Sequence, residues 1–171
     1  AEAMRAAGRD PGTLGRDDET LARIGTFVEL HVEQGRRLVD LGHAVGVGSD
    51  IWPHGRWRVD LPGEANHAGT TRLEDREDAM LGLAAMIIAA RRAATQHGCV
   101  ATVGKVNVVP GGVNAIASGA TGWLDARGAD ADAVRRVVAD VGAVVADFDG
   151  LVTQESWTPT TAFDPALVRR M

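Results

Sequence analysis

The residues able to do chemistry in this 171-residue chain fall into four short motifs. In the first, Glu29, His31 and Glu33 alternate with Leu30 and Val32, just ahead of Gln34-Gly35. Alternation with period two predicts a strand over Thr26 to Glu33 with the three ionisable side chains on one face. A histidine placed there is either a metal ligand or part of a solvated face. The chain holds no HExxH and no cysteine cluster to complete a metal site around it. The second motif centres on His67, in Gly63-Glu-Ala-Asn-His-Ala-Gly-Thr-Thr71. Small neighbours leave that ring exposed ahead of a helix N-terminus. It can stabilise negative charge developing on a carbonyl oxygen, or simply cap a turn. In the third, Val109-Pro-Gly-Gly-Val-Asn-Ala-Ile116, Asn114 offers an amide that donates and accepts, although Asn after Gly also suits an ordinary turn. In the fourth, Trp123-Leu-Asp-Ala-Arg127, alternation puts Asp125 and Arg127 on one strand face. They make either an ion pair or a guanidinium fork for a substrate carboxylate.

The elements that must position these residues follow from period and punctuation. Ahead of the first motif, Gly8 to Asp18 reads as loop. After it, Arg36 to Leu41 forms a short helix stopped by Gly42, and Ala44 to Ser49 another short strand. From about residue 55 the pattern becomes regular. Arg56 to Leu61 is a strand closed by Pro62-Gly63. Thr71-Arg-Leu-Glu74 has the form of a capping box and opens a long helix, on which Met80, Leu83, Ala84, Ile87 and Ile88 share a face. Cys99 to Val109 and Ala115 to Ala126 are strands. Asp130 caps a second helix with Val134, Val137, Val138, Val141 and Val145 on one face, and Leu151 to Trp157 is the last strand. The order β-α-β-β-α-β predicts an α+β ferredoxin-like domain, a four-stranded antiparallel sheet with two helices on one face.

Composition narrows the function classes. With 45% hydrophobic and 24% charged residues the chain is an ordinary globular polypeptide, one domain or one domain plus part of another. A net charge of −5 argues against nucleic acid as a partner. The longest apolar run, Met80 to Ala90, is too short to span a bilayer, so no membrane partner is expected. A single cysteine cannot form an intrachain disulfide and suits a reducing, cytoplasmic location. The chain does not begin with Met and stops at Arg169-Arg170-Met171 in helix-like sequence, and is expected to be a piece of a longer protein.

Taken together and in order, ELHVEQG, GEANHAGTT with DREDAM after it, PGGVNAI and LDAR are far more specific than any one of them. Over nearly its whole length the chain resembles the metal-dependent N-carbamoyl-L-amino-acid hydrolases and allantoate amidohydrolases. These belong to the superfamily of di-zinc peptidases and aminoacylases, with yeast-type β-alanine synthase as a relative. Peptidase members typically carry Asp where this chain has His31 and lack the NHAGTT form, which ranks an aminoacylase or dipeptidase reading lower.

The resemblance implies a two-domain subunit: an α/β catalytic domain holding two divalent ions, and a lid inserted into it that forms a homodimer. Residues 1–50 would end the first half of the catalytic domain, 55–158 would be the lid, and 159–171 the return. His31 matches the family's metal-ligand histidine and Gln34 a substrate-contacting glutamine. His67 matches the lid histidine that stabilises the tetrahedral intermediate, often in the partner subunit's site. Asn114 and Arg127 match the residues that hold the substrate carboxylate. The remaining ligands have no counterparts here, so the metal (zinc, manganese, cobalt or nickel) would be bound only in the full-length enzyme, and this polypeptide alone is expected to be inert. His43, His54 and His97 read as surface or turn residues. The competing class is a stand-alone ferredoxin-like dimerisation or small-molecule-binding module, for which residues 1–50 have no use.

Overall fold

A computed structural model describes all 171 residues, which divide into two compact units, Ala1–Gly46 and Val47–Met171. The first contains three five-residue helices, α1 (Glu2–Ala6), α2 (Asp18–Ala22) and α3 (Arg37–Leu41), and buries no residue. Gly42, at φ 70°, ends α3 in the left-handed conformation that glycine adopts without a Cβ penalty. The strand expected over Thr26 to Glu33 is not formed; that segment makes no ladder. A strand is stable only when a neighbour takes up its backbone hydrogen bonds, and nothing in Ala1–Gly46 offers one. Leu30 is accordingly 97% exposed.

The second unit is built on a four-stranded antiparallel sheet with two helices. Its elements are β2 (His54–Pro62), α4 (Ala79–His97), β3 (Val100–Val109), β4 (Gly119–Arg127), α5 (Ala131–Ala146) and β5 (Leu151–Thr158). The sheet order is β3-β4-β2-β5, as the β-α-β-β-α-β pattern requires. Alternation sets the two faces. Trp57, Val59 and Leu61 of β2 and Ala120, Leu124 and Ala126 of β4 point under the helices and are buried. Arg56, Arg58 and Asp60 and then Thr121, Asp125 and Arg127 point the other way. Val134, Val137, Val141 and Val145 of α5 complete the core as their spacing predicts, and Asp130 accepts from the Asp132 N–H at 3.0 Å as the N-cap. Each large side chain fully buried here contributes about 1.5–3 kcal/mol. A separate two-stranded pair joins β1 (Asp50–Ile51) to β6 (Thr161–Ala162), in place of the strand expected over Ala44 to Ser49. A short helix, α6 (Pro165–Arg170), follows.

Two details of α4 differ from expectation. It starts at Ala79, with the Asp78 carboxylate accepting from the Met80 N–H, and not at Thr71. The Thr71 hydroxyl donates instead to the His67 carbonyl at 2.8 Å, and Leu73–Asp75 is a separate 3-10 turn. The buried face also carries Ala79, Gly82, Ala89, Ala90, Ala93 and Ala94 around Leu83 and Met86, while Ile88 is 68% exposed. Small residues let the helix lie close on the sheet. A Cβ at Gly122 would meet Leu83 and Met86 at 3.1–3.2 Å. The bulky side chains Leu81 and Ile88, which share a stripe two turns apart, and Ile87 are left exposed on α4. No helix is long and apolar enough to cross a membrane.

Candidate active site

Beyond Pro62 the chain continues the sheet as an irregular strap. Gly63 donates its N–H to the Ser118 carbonyl at 3.0 Å and Glu64 to the Glu77 carbonyl at 2.7 Å. Asn66 and Ala68 then pair with the segment leading into β4. The Ile116 N–H donates to the Asn66 carbonyl and the Ala68 N–H to the Asn114 carbonyl, both at 2.9 Å. The second and third motifs, distant in sequence, are thus joined through their backbones, with His67 across from Ala115 and Asn114 across from Ala68, and both His67 and Asn114 exposed.

The loop also decides which nitrogen of His67 carries the proton. The Gly69 N–H points at Nδ1 at 3.1 Å, and the Thr70 hydroxyl lies 3.2 Å from the same atom. A backbone amide can only donate, so Nδ1 accepts and the neutral ring is protonated at Nε2. The exposed Nε2–H is a preset hydrogen-bond donor. Arg76 holds the loop from behind, donating from Nη2 to the Ala68 and Thr71 carbonyls at 2.6 and 2.8 Å and from Nε to Thr71 at 3.1 Å. Sequence reading passed over Arg76, since nothing in DREDAM says which carbonyls an arginine will reach.

Arg127 lies elsewhere. It is the last residue of β4, and Gly119, where the strap joins the strand, is the first. At about 3.3 Å per residue the two ends are about 26 Å apart, and Asn114 lies beyond the Gly119 end. One copy therefore does not bring Arg127 together with Asn114 or His67. Arg127 donates to Asp125 Oδ1 from Nε and Nη2 at 3.1 and 2.7 Å, while Arg56 approaches Oδ2 at 3.5 Å. The ion pair exists, and it still leaves the guanidinium free to bind. Of its five N–H donors two are used, so three remain on a side chain that is about half exposed. His54 is no turn residue. It sits in β2 directly across from Arg127, with Nδ1 2.8 Å from the Trp52 carbonyl. Nor does His97 sit free at the surface, because its Nε2 lies 2.8 Å from Asp140 and ties the end of α4 to α5. His43 is exposed beside the α3 cap.

In the first unit, His31 Nδ1 lies 2.8 Å from Glu29 Oε1. A carboxylate orients a metal-ligating histidine in this way, leaving Nε2 as the donor atom. Glu33 is spent differently, accepting from the Arg37 and Leu38 N–H groups at the start of α3. Gln34, between them, is exposed and held at φ 55°, rare for a residue with a Cβ. No three His, Cys, Asp or Glu side chains gather anywhere to hold a metal ion. The residues of this chain do not by themselves fit a metal pair.

Comparison with known proteins settles the family. No protein-family model matches the chain. It is 38% identical over 128 residues to an N-carbamoyl-L-amino acid amidohydrolase of Geobacillus stearothermophilus, which covers 74% of this chain and 31% of that protein. It is 34% identical over 140 residues to the allantoate amidohydrolase of Escherichia coli, covering 78% and 34%. Among solved structures, an amidase of the hydantoinase/carbamoylase family from Burkholderia vietnamiensis superposes with a TM-score of 0.76 at 28% identity, over 81% of this chain and 36% of that one. The chain spans about a third of the length of the curated relatives it matches. With its motifs in the same order as its fold, the chain belongs to the N-carbamoyl-L-amino-acid and allantoate amidohydrolase family.

Proposed function

We propose that these residues supply the lid, and one metal-ligand histidine, of a metal-dependent hydrolase acting on N-carbamoyl-L-amino acids or allantoate. In that reaction water adds to the ureido carbonyl, the C–N bond breaks with the proton passing to the departing nitrogen, and ammonia is released. The observation that carries the reading is the fixed tautomer of His67. A neutral Nε2–H aimed outward is a donor for an oxygen that becomes an oxyanion in the tetrahedral intermediate. Arg127, with three free N–H donors, holds the substrate carboxylate together with the Asn114 amide. The divalent ions (zinc, manganese, cobalt or nickel) belong to the full-length enzyme, where His31 would be one ligand. The 171 residues alone are inactive. Its single cysteine, half-buried Cys99, fits a cytoplasmic enzyme.

The separation of Arg127 from His67 adds a requirement: no substrate of this class spans about 26 Å. A homodimer removes the difficulty. The edge of β3 is open, with Val100, Val106 and Val109 about half exposed, and α4, which packs on this strand, leaves Leu81, Ile87 and Ile88 exposed. Two copies paired antiparallel along β3 about a two-fold axis place the Val100 end of one against the Val109 end of the other. Arg127 of one copy then lies at the same end as His67 and Asn114 of the second. Closure of such a lid over the catalytic domain would exclude water from the site.

A substrate panel tests the reading. The metal-loaded, full-length polypeptide is expected to hydrolyse N-carbamoyl-L-amino acids or allantoate faster than N-acyl amino acids or dipeptides. Arg127→Met should raise KM at least tenfold, since it removes a charge-assisted contact made by substrate and transition state alike. Faster turnover of N-acyl substrates or dipeptides would move the chain to the aminoacylase or dipeptidase branch. No turnover of any of them would favour a binding module.

A further inference from the structure

We infer that Arg76 is a positioning residue that sets the tautomer and aim of His67. The inference rests on the reading of His67 as an oxyanion donor, but its first test does not. Arg76 is half-buried and spends its guanidinium on backbone carbonyls alone, two bonds to Thr71 and one to Ala68. No nearby carboxylate pairs with it, neighbouring Glu77 included. Glu74 and Asp75 pair with Arg72, and the Asp78 carboxylate caps α4. Its acceptors bracket Gly69 and Thr70, the two residues whose N–H and hydroxyl face His67 Nδ1. The far side of the same turn is fixed by Thr71, whose hydroxyl donates to the His67 carbonyl. Clamping the carbonyls at both ends of the 68–71 segment turns the enclosed N–H toward the ring. With that N–H in place, the proton of the neutral ring is confined to Nε2. A planar guanidinium reaches both carbonyls at once, which a lysine ammonium on a flexible stem does not.

The experiment is a nitrogen-15 NMR measurement of the His67 ring in the 171-residue chain, at a pH where the imidazole is neutral, for wild type, Arg76→Lys and Arg76→Met. The wild-type ring is expected to show the pure Nε2–H signature. Both variants should show resonances averaged between the two tautomers, with the amide spectrum of β2 and β4 unchanged. A pure Nε2–H signature in either folded variant overturns the inference. Loss of the fold in Arg76→Lys overturns it too, because a residue that only aims a loop leaves the sheet intact. In the full-length enzyme the same substitutions should lower kcat by about 10- to 100-fold, the cost of a misplaced catalytic group, with KM little changed. If the wild-type enzyme hydrolyses no ureido acid, the proposed function fails while the tautomer result stands.

Discussion

Replacing His67 with alanine in the full-length enzyme is expected to lower kcat by about 100- to 1000-fold and leave KM nearly unchanged. The asymmetry follows from the geometry of the ring. Its Nε2–H is preset by the Gly69 N–H and the Thr70 hydroxyl at Nδ1, so it costs no reorganisation when charge develops on the substrate oxygen. In the ground state the same oxygen is an uncharged ureido carbonyl and draws less from the donor. The contact is therefore worth most in the transition state, which is what a fall in kcat alone reports. His67→Gln, which keeps an N–H on a longer side chain, should recover part of the loss. Steady-state kinetics check both. A His67→Ala enzyme with normal kcat and raised KM would make this histidine a ground-state contact.

The second large effect is structural. Gly63→Ala is expected to destabilise the Val47–Met171 unit by about 3 kcal/mol, as overpacking does, or roughly 10 °C in Tm for a domain of this size. A Cβ at Gly63 would stand 2.4 Å from the Ala117 carbonyl oxygen, 2.6 Å from that of Glu77 and 2.8 Å from the Ala79 nitrogen. All three are backbone atoms, so no side chain can swing aside. The strap must then shift, and the pairing of Asn66 and Ala68 with Ile116 and Asn114 shifts with it. Gly104→Ala is the control, since its Cβ would meet nothing nearer than 3.9 Å. Thermal melts of the two variants, with amide exchange at Ala68 and Ile116, measure the difference. A Gly63→Ala protein that melts with the control would contradict it.

The four-stranded domain is readable from sequence because its signals are local and agree with one another. In β2, Trp57, Val59 and Leu61 alternate with charged residues, and in α5 a capping aspartate precedes four valines at helical spacing. Where signals compete, physics decides otherwise. Thr71 and Glu74 look like the start of a helix, but the hydroxyl is already bound to the His67 carbonyl and the helix waits for Asp78. On α4, bulk suggests that Ile87 and Ile88 face the core, yet close packing on Gly122 selects the alanine side. The strand expected around His31 depends on a neighbour that Ala1–Gly46 does not contain.

The candidate site divides along the same line. His67 and Asn114 stood out by type and neighbours, and the backbone joins them. Residue spacing could not show that Arg127 lies at the opposite end of β4 from Asn114, because a thirteen-residue interval fits a hairpin as well as a straight run. Arg76 carries no signature at all in sequence, because it acts through backbone carbonyls.

The central claim, that one site draws Arg127 and His67 from two copies, has a direct measurement. Full-length His67→Ala, with its low kcat, and Arg127→Met, with its raised KM, are mixed under conditions that exchange subunits, and hydrolysis of the ureido substrate is followed well below the wild-type KM, where both variants turn over slowly. In a mixed dimer one site receives both intact residues and the other neither. Statistical exchange should therefore restore roughly a quarter of wild-type activity, as two-fold symmetry dictates. If each copy builds its own site, every site in the mixture lacks one residue, and activity stays at the level of the separate variants.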